Sequence, residues 1–148
     1  MVRDYIDEHE YTFRKGLELS YEYMVLEFSF GYWQWSSGNW QDLPGPEAEP
    51  KKLFAPLKES GAISFFSDQS RVDDPFMYQA YSEMGLYGYE TDKFMDLLTA
   101  IDSPIASNKI FLSQKIGEFD GSVMRNMNSW LQVHGNNILY IYGGQDPW

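Results

Sequence analysis

The chain has 148 residues, 43% hydrophobic and 18% aromatic, with a net charge of −11 from 22 acidic and 11 basic side chains. That length holds one domain with an apolar core, and the aromatic content argues against disorder for most of it. The charge argues against nucleic acid, which needs clustered Lys and Arg, and against an anionic membrane surface.

Residues 1–10 are polar and acidic and read as a lead-in or a first short helix. A helix is expected over residues 13–35. Phe13, Leu17, Tyr21, Met24, Phe28 and Trp35 fall on one face, and Leu19, Tyr23, Leu26 and Phe30 cover much of the opposite side. A helix apolar nearly all round is expected to be buried. Ser36 to Asn39 end it, and Pro44, Gly45 and Pro46 break the loop that follows.

A short helix is expected after Pro50, stopping at Gly61, with Pro56 in its first turns or kinking it. Residues 63–66 are an apolar patch that fits a strand or an extended link. Asp73 or Asp74 can cap a helix carrying Phe76, Tyr78, Ala80, Tyr81 and Met84, with Pro75 in its first turn. Residues 86–89 read as an aromatic loop with glycine joints, and a helix is expected over 93–100. Pro104 and Asn108 mark the next loop.

A last helix is expected over 121–134, striped by Val123, Met127, Trp130 and Leu131. After the turn Gly135-Asn136-Asn137 comes Ile138-Leu139-Tyr140-Ile141-Tyr142. This continuous apolar run has the pattern of a strand buried on both faces of a parallel sheet. Helix, turn and buried strand make half of a βαβ unit, whose sheet would have to come from outside this sequence. The expected division is a helical region over 1–134 and a strand with its exit loop over 135–148.

Past that run stand Gly143, Gly144 and Gln145, then Asp146, at the carboxyl end of a strand where α/β sheets carry functional groups. In an α/β hydrolase this is the place of the triad acid, which orients the histidine and stabilises its imidazolium. A glycine turn followed by Asp is also an ordinary turn.

Residues 138–148 (Ile-Leu-Tyr-Ile-Tyr-Gly-Gly-Gln-Asp-Pro-Trp) resemble the acid-loop segment of the bacterial secreted tripeptidyl aminopeptidases. So do Tyr32-Trp33-Gln34-Trp35, and Pro75-Phe76-Met77-Tyr78-Gln79-Ala80 continuing through Glu83-Met84-Gly85-Leu86-Tyr87-Gly88-Tyr89, which resemble the cap. The segments stand in the family's order, and the likeness runs over about residues 11–148. It implies a mainly α chain: the helical cap of an α/β hydrolase plus one C-terminal β-strand, without most of the parent sheet. It implies a serine exopeptidase that releases short peptides from free N-termini, secreted or periplasmic, with Asp146 as triad acid. No signal-peptide pattern opens this sequence.

No other triad member carries over. The elbow Gly-Xaa-Ser-Xaa-Gly occurs nowhere in the sequence, and the family's histidine follows the acid loop. His9 and His134 precede Asp146, the wrong order for the family, and His134 reads as a helix C-cap. The chain alone is therefore expected to be inactive.

An aminopeptidase must hold a protonated N-terminus, which calls for a carboxylate in a partly dry pocket with aromatic walls. The candidate carboxylates are Glu27, set between Leu26 and Phe28 and the strongest of the three, Glu83, before the aromatic loop, and Glu90, after it; the candidate walls are Trp33, Trp35, Tyr87 and Tyr89. Each carboxylate can equally be a solvated helix charge. No cofactor and no metal is expected: there is no cysteine, and no ligand spacing such as His-Glu-Xaa-Xaa-His. A helical interaction or peptide-binding module is the rival reading. The apolar run at 138–142, lacking sheet neighbours, predicts self-association, strand pairing between copies, or docking onto the chain's own helices.

Overall fold

The computed structural model describes residues 1–35, 38–85, 88–113 and 115–144. It is mainly helical, as the sequence leads one to expect. The chain divides into two compact units, residues 1–72 with 88–111, and residues 73–87 with 112–148.

In the first unit, α1 (Val2–Glu8) opens the chain and α2 (Leu17–Trp35) is its longest element. Gly16, at φ +84, supplies the left-handed turn into α2. The buried stripe of α2 is Ser20, Tyr23, Met24, Gly31 and Tyr32. Trp33 and Val25 are exposed, and Trp35 is 80% exposed. The expectation of a helix buried nearly all round is thus corrected: one side packs on α3 and α4, and the rings near its C-terminus meet solvent.

Next comes α3 (Pro50–Glu59), with Pro50 in its first turn, where a missing N–H costs nothing. Pro56 lies inside this helix rather than in its first turns. Gly61, at φ +78, turns the chain into α4 (Ala62–Phe65). Residues 63–66, expected as a strand or an extended link, are therefore mostly one helical turn with Phe66 as its cap. Here α2 crosses so closely that a Cβ on Gly31 would stand 2.8 Å from the Ser60 carbonyl oxygen.

The N-terminal segment is tied in by backbone bonds. Asp68 N–H donates to the Thr12 carbonyl at 2.8 Å, and Gln69 Nε2 donates to the Glu10 carbonyl at 2.8 Å. Arg14 donates from Nη2 to the Phe111 carbonyl and lies 3.8 Å from Asp68. Tyr23, Phe66 and Phe111 form an aromatic cluster with ring centroids 4.9 to 5.8 Å apart.

Residues expected as loops supply the described sheet. β1 (Gly88–Glu90) pairs antiparallel with β2 (Ile105–Ser107), Tyr89 facing Ala106. Between them, the helix expected over 93–100 is only a 3₁₀ turn at Asp92–Phe94 followed by further turns.

In the second unit, α5 (Asp74–Gln79) runs into a π-helical turn, Ala80–Met84, which ends at Gly85 with φ +80. It packs against α6 (Ser122–His134), close to the expected 121–134. The apolar stripe of α6 is largely open to solvent, Met127 and Trp130 being about half exposed. Residues 138–142 form no strand. They join no sheet, and Leu139 and Ile141 are more than 80% exposed. The expected docking onto the chain's own helices is not observed either.

Candidate functional site

The site grows from one half-buried position of α2 that lies in line with its buried stripe. Glu27 follows Tyr23 by four residues and precedes Gly31 by four, so helical periodicity carries its side chain into the core face. A carboxylate there must find a donor or shed its charge. The donor is Tyr89 on β1, whose hydroxyl donates to Glu27 Oε2. The alternation of β1 turns Tyr89 inward and leaves Glu90 exposed.

Tyr89 is in turn held by Asn108, just past β2, whose Nδ2 donates to the Tyr89 oxygen at 2.8 Å. Asn108 is 3% exposed, and its Oδ1 has no hydrogen-bond partner among the described residues. The rings of Tyr23 and Phe30 each lie 6.0 Å from that of Tyr89. The Tyr23 hydroxyl donates to the Ser107 carbonyl at 3.1 Å, fastening α2 to β2. Burial pushes the Glu27 carboxyl up from the usual glutamate range, and the Tyr89 hydrogen bond works against that rise. Among the described residues, no Lys or Arg forms an ion pair with Glu27.

One turn and a half earlier on α2, Glu22 plays a different part. Its Oε1 accepts from Thr99 N–H at 2.7 Å, Thr99 Oγ1 at 2.8 Å and Ala100 N–H at 3.0 Å. Its Oε2 accepts from Ala100 N–H at 3.1 Å and Ile101 N–H at 2.8 Å. Desolvation would raise the pKa of Glu22, but these donors outweigh it and hold the carboxyl below its ordinary value. Glu22 thus clasps the excursion between the two strands. That excursion is closed at its base by Thr91 N–H donating to the Pro104 carbonyl at 3.0 Å, and by the Thr91 hydroxyl donating to Ser103.

The structure joins two of the residues singled out from sequence, Glu27 and Tyr89. Tyr89 is buried, and its hydroxyl donates a hydrogen bond to Glu27. Trp33 and Trp35 lie further along α2; Trp33 packs edge-on to Tyr32 at 5.7 Å. Glu83 belongs to the second unit and accepts from Gln79 Nε2 at 3.2 Å. Tyr87 and Asp146 lie outside the described residues. Asn108 and Glu22 were not singled out from sequence. Asn108 reads from sequence only as a loop marker.

Among the described residues, each histidine contacts a backbone carbonyl of its own helical segment. His9 Nδ1 lies 2.9 Å from the Tyr5 carbonyl, its ring between Tyr5 and Tyr11. His134 Nδ1 lies 3.3 Å from the Trp130 carbonyl at the end of α6. Among the described residues, no three His, Asp or Glu side chains cluster as a metal site, and no helix is long and apolar enough to cross a membrane. A separate apolar cavity of about 300 Å³ lies between α2, α3 and the loop after residue 42. Val25, Phe28, Leu43, Pro44 and Leu53 line it, and Glu27 takes no part.

The comparisons with known proteins give the class. The family model of the PS-10 peptidases S37 matches residues 2–148, and the chain belongs to that family. It is similar to a prolyl tri/tetrapeptidyl aminopeptidase of Streptomyces mobaraensis, 22% identical over 134 residues, which are 87% of this chain and 27% of the relative. The chain thus spans about a quarter of the length of that curated relative. No solved structure matches it significantly.

Proposed function

We propose that this chain is the helical cap and acid-loop segment of a serine-type aminopeptidase of α/β-hydrolase architecture, secreted, in which Glu27 receives the protonated N-terminus of a peptide. The observation that carries the reading is Glu27 itself. It is a largely desolvated carboxylate without a cationic partner among the described residues, held by Tyr89, whose ring packs near those of Tyr23 and Phe30. A primary ammonium supplies the missing charge, and in a low-dielectric setting that pairing is stronger than on the surface. Adjacent rings add cation–π attraction. Membership of a peptidase family and similarity to an enzyme named for releasing tri- and tetrapeptides support the substrate class.

In this reading Asp146 is the acid of the triad. The nucleophile and the histidine belong in this reading to other parts of the enzyme, since the sequence has no Gly-Xaa-Ser-Xaa-Gly elbow. Peptide binding without turnover is the expected behaviour of the 148-residue chain. The test is titration with a tripeptide carrying a free N-terminus and with its N-acetylated twin. The free peptide binds more tightly by on the order of tenfold, as one desolvated ion pair provides, and Glu27→Gln removes the difference. Equal binding of the two peptides, or hydrolysis of either, would sink the reading.

A second reading, a protein-interaction module, is favoured by the exposed apolar run at 138–142. It requires a partner seated on that run and no preference for free amines.

A further inference from the structure

Resting on the reading of Glu27 as the ammonium receptor, we infer that Asn108 is a positioning residue that fixes the direction of the Tyr89 hydroxyl, sending its only proton to Glu27. A phenol has one proton to donate, and an ionised carboxylate only accepts. Asn108 Nδ2 can only donate, and it occupies the acceptor side of the Tyr89 oxygen at 2.8 Å. The proton of Tyr89 is left to point at Glu27 Oε2, which is in hydrogen-bond contact with the hydroxyl. Were the amide turned about, its Oδ1 would compete with Glu27 for that proton.

In this orientation the Oδ1 is buried without a hydrogen-bond partner among the described residues, an unfavourable arrangement on its own. The gain lies at Glu27, which keeps its donor inside a core position. The relay therefore runs one way, from amide to phenol to carboxylate, and favours the ionised carboxylate against the burial that opposes it.

Among the described residues, the other groups near the relay are engaged elsewhere, exposed or uncharged. From α2, the Tyr23 hydroxyl is committed to Ser107, and Glu22 is engaged by residues 99–101. From β1 and the segment after β2, the neighbouring charges Glu90 and Lys109 are exposed. The packed rings of Phe30 and Phe66 carry no charge.

The test reads the Glu27 carboxyl by carbon-13 NMR titration in the full chain, without ligand. Tyr89→Phe and Asn108→Leu each move the Glu27 midpoint upward. In the double variant the midpoint is that of Tyr89→Phe alone, because Asn108 acts through the phenol. An unchanged midpoint in Asn108→Leu, or an added shift on top of Tyr89→Phe, overturns the inference. If Asn108→Leu fails to fold, the wild-type chain still decides. The Asn108 side-chain amide and the Tyr89 ring must then titrate with the Glu27 midpoint, and silent resonances overturn the inference. Affinity for a free-amine tripeptide is measured separately. It falls about fivefold in Asn108→Leu, the equivalent of one neutral hydrogen bond. Coupled titration without any peptide binding would remove the amine reading and leave the relay standing.

Discussion

The Tyr89 hydroxyl donates to Glu27 across 62 positions of sequence, joining a three-residue strand to the buried stripe of the longest helix. The bond satisfies a carboxylate that the helical repeat forces inward. It does not neutralise it. A charge kept in such a place lowers stability, and that has a measurable pH signature.

Because burial raises the folded-state pKa of Glu27, the folded chain holds that proton more tightly than the unfolded one. Stability therefore falls as pH rises from the ordinary glutamate value through the raised value, and the penalty is constant above it. Glu27→Gln removes the charge while keeping an acceptor for Tyr89. Urea unfolding should find the variant at least as stable as the wild type at neutral pH, with this fall abolished. A variant less stable at neutral pH, with the wild-type pH dependence intact, would show that Glu27 is not the strained group.

Glu22 has the opposite sign. Its folded-state value is depressed, so its contribution is present above the unfolded value and lost as pH falls through the folded one. Glu22→Gln keeps the shape but weakens the grip on the N–H groups of residues 99–101. The expected loss is about 0.5–1 kcal/mol at neutral pH, small because the carboxylate is largely solvent-screened. Amide hydrogen exchange at Thr99, Ala100 and Ile101 should accelerate in the variant. Unchanged exchange there would mean the excursion is held by its base at Thr91 alone.

Which parts of this arrangement could be read from sequence depended on distance along the chain. The helix α2 and α6 announce themselves through long apolar periods, and Glu27 stood out because Leu26 and Phe28 flank it. Its partner could not be paired with it, since that contact depends on how β1 returns to α2. The strands β1 and β2 have three residues each, too few for a period, and their turn-rich flanks look like loops. Residues 93–100 carry a cap and apolar residues, yet a carboxylate on another helix captures their amides. Asn108 gave no signal, because its role exists only once Tyr89 is beside it.

The crossing of α2 over the α3–α4 junction rests on the absence of a side chain. Gly31→Ala would place a Cβ 2.8 Å from the Ser60 carbonyl oxygen, a backbone atom that cannot rotate away. Alanine gains about 1 kcal/mol of helix propensity over glycine. Displacing the packed junction costs roughly 1–3 kcal/mol. A net destabilisation of about 1 kcal/mol is expected, read as a lowered urea midpoint. A stabilised Gly31→Ala variant would mean that the crossing relaxes without cost.

The run at 138–142 has the composition of a strand and the environment of a solvated tail. Leu139 and Ile141 point one way and Ile138, Tyr140 and Tyr142 the other in any extended chain, so both faces are apolar. None of the five is buried, and no sheet uses their backbone groups. Water satisfies those groups, but the apolar area has no cover, and a second copy offers both a ladder and a face. Concentration-dependent self-association is therefore expected in sedimentation velocity. Amides of 138–142 should gain exchange protection as the concentration rises. Leu139→Lys with Ile141→Lys places charges along one face and should return the chain to monomer with α2 and α6 intact. A wild-type chain that stays monomeric up to millimolar concentration, with those amides unprotected throughout, would show that solvent alone is an adequate partner for this segment.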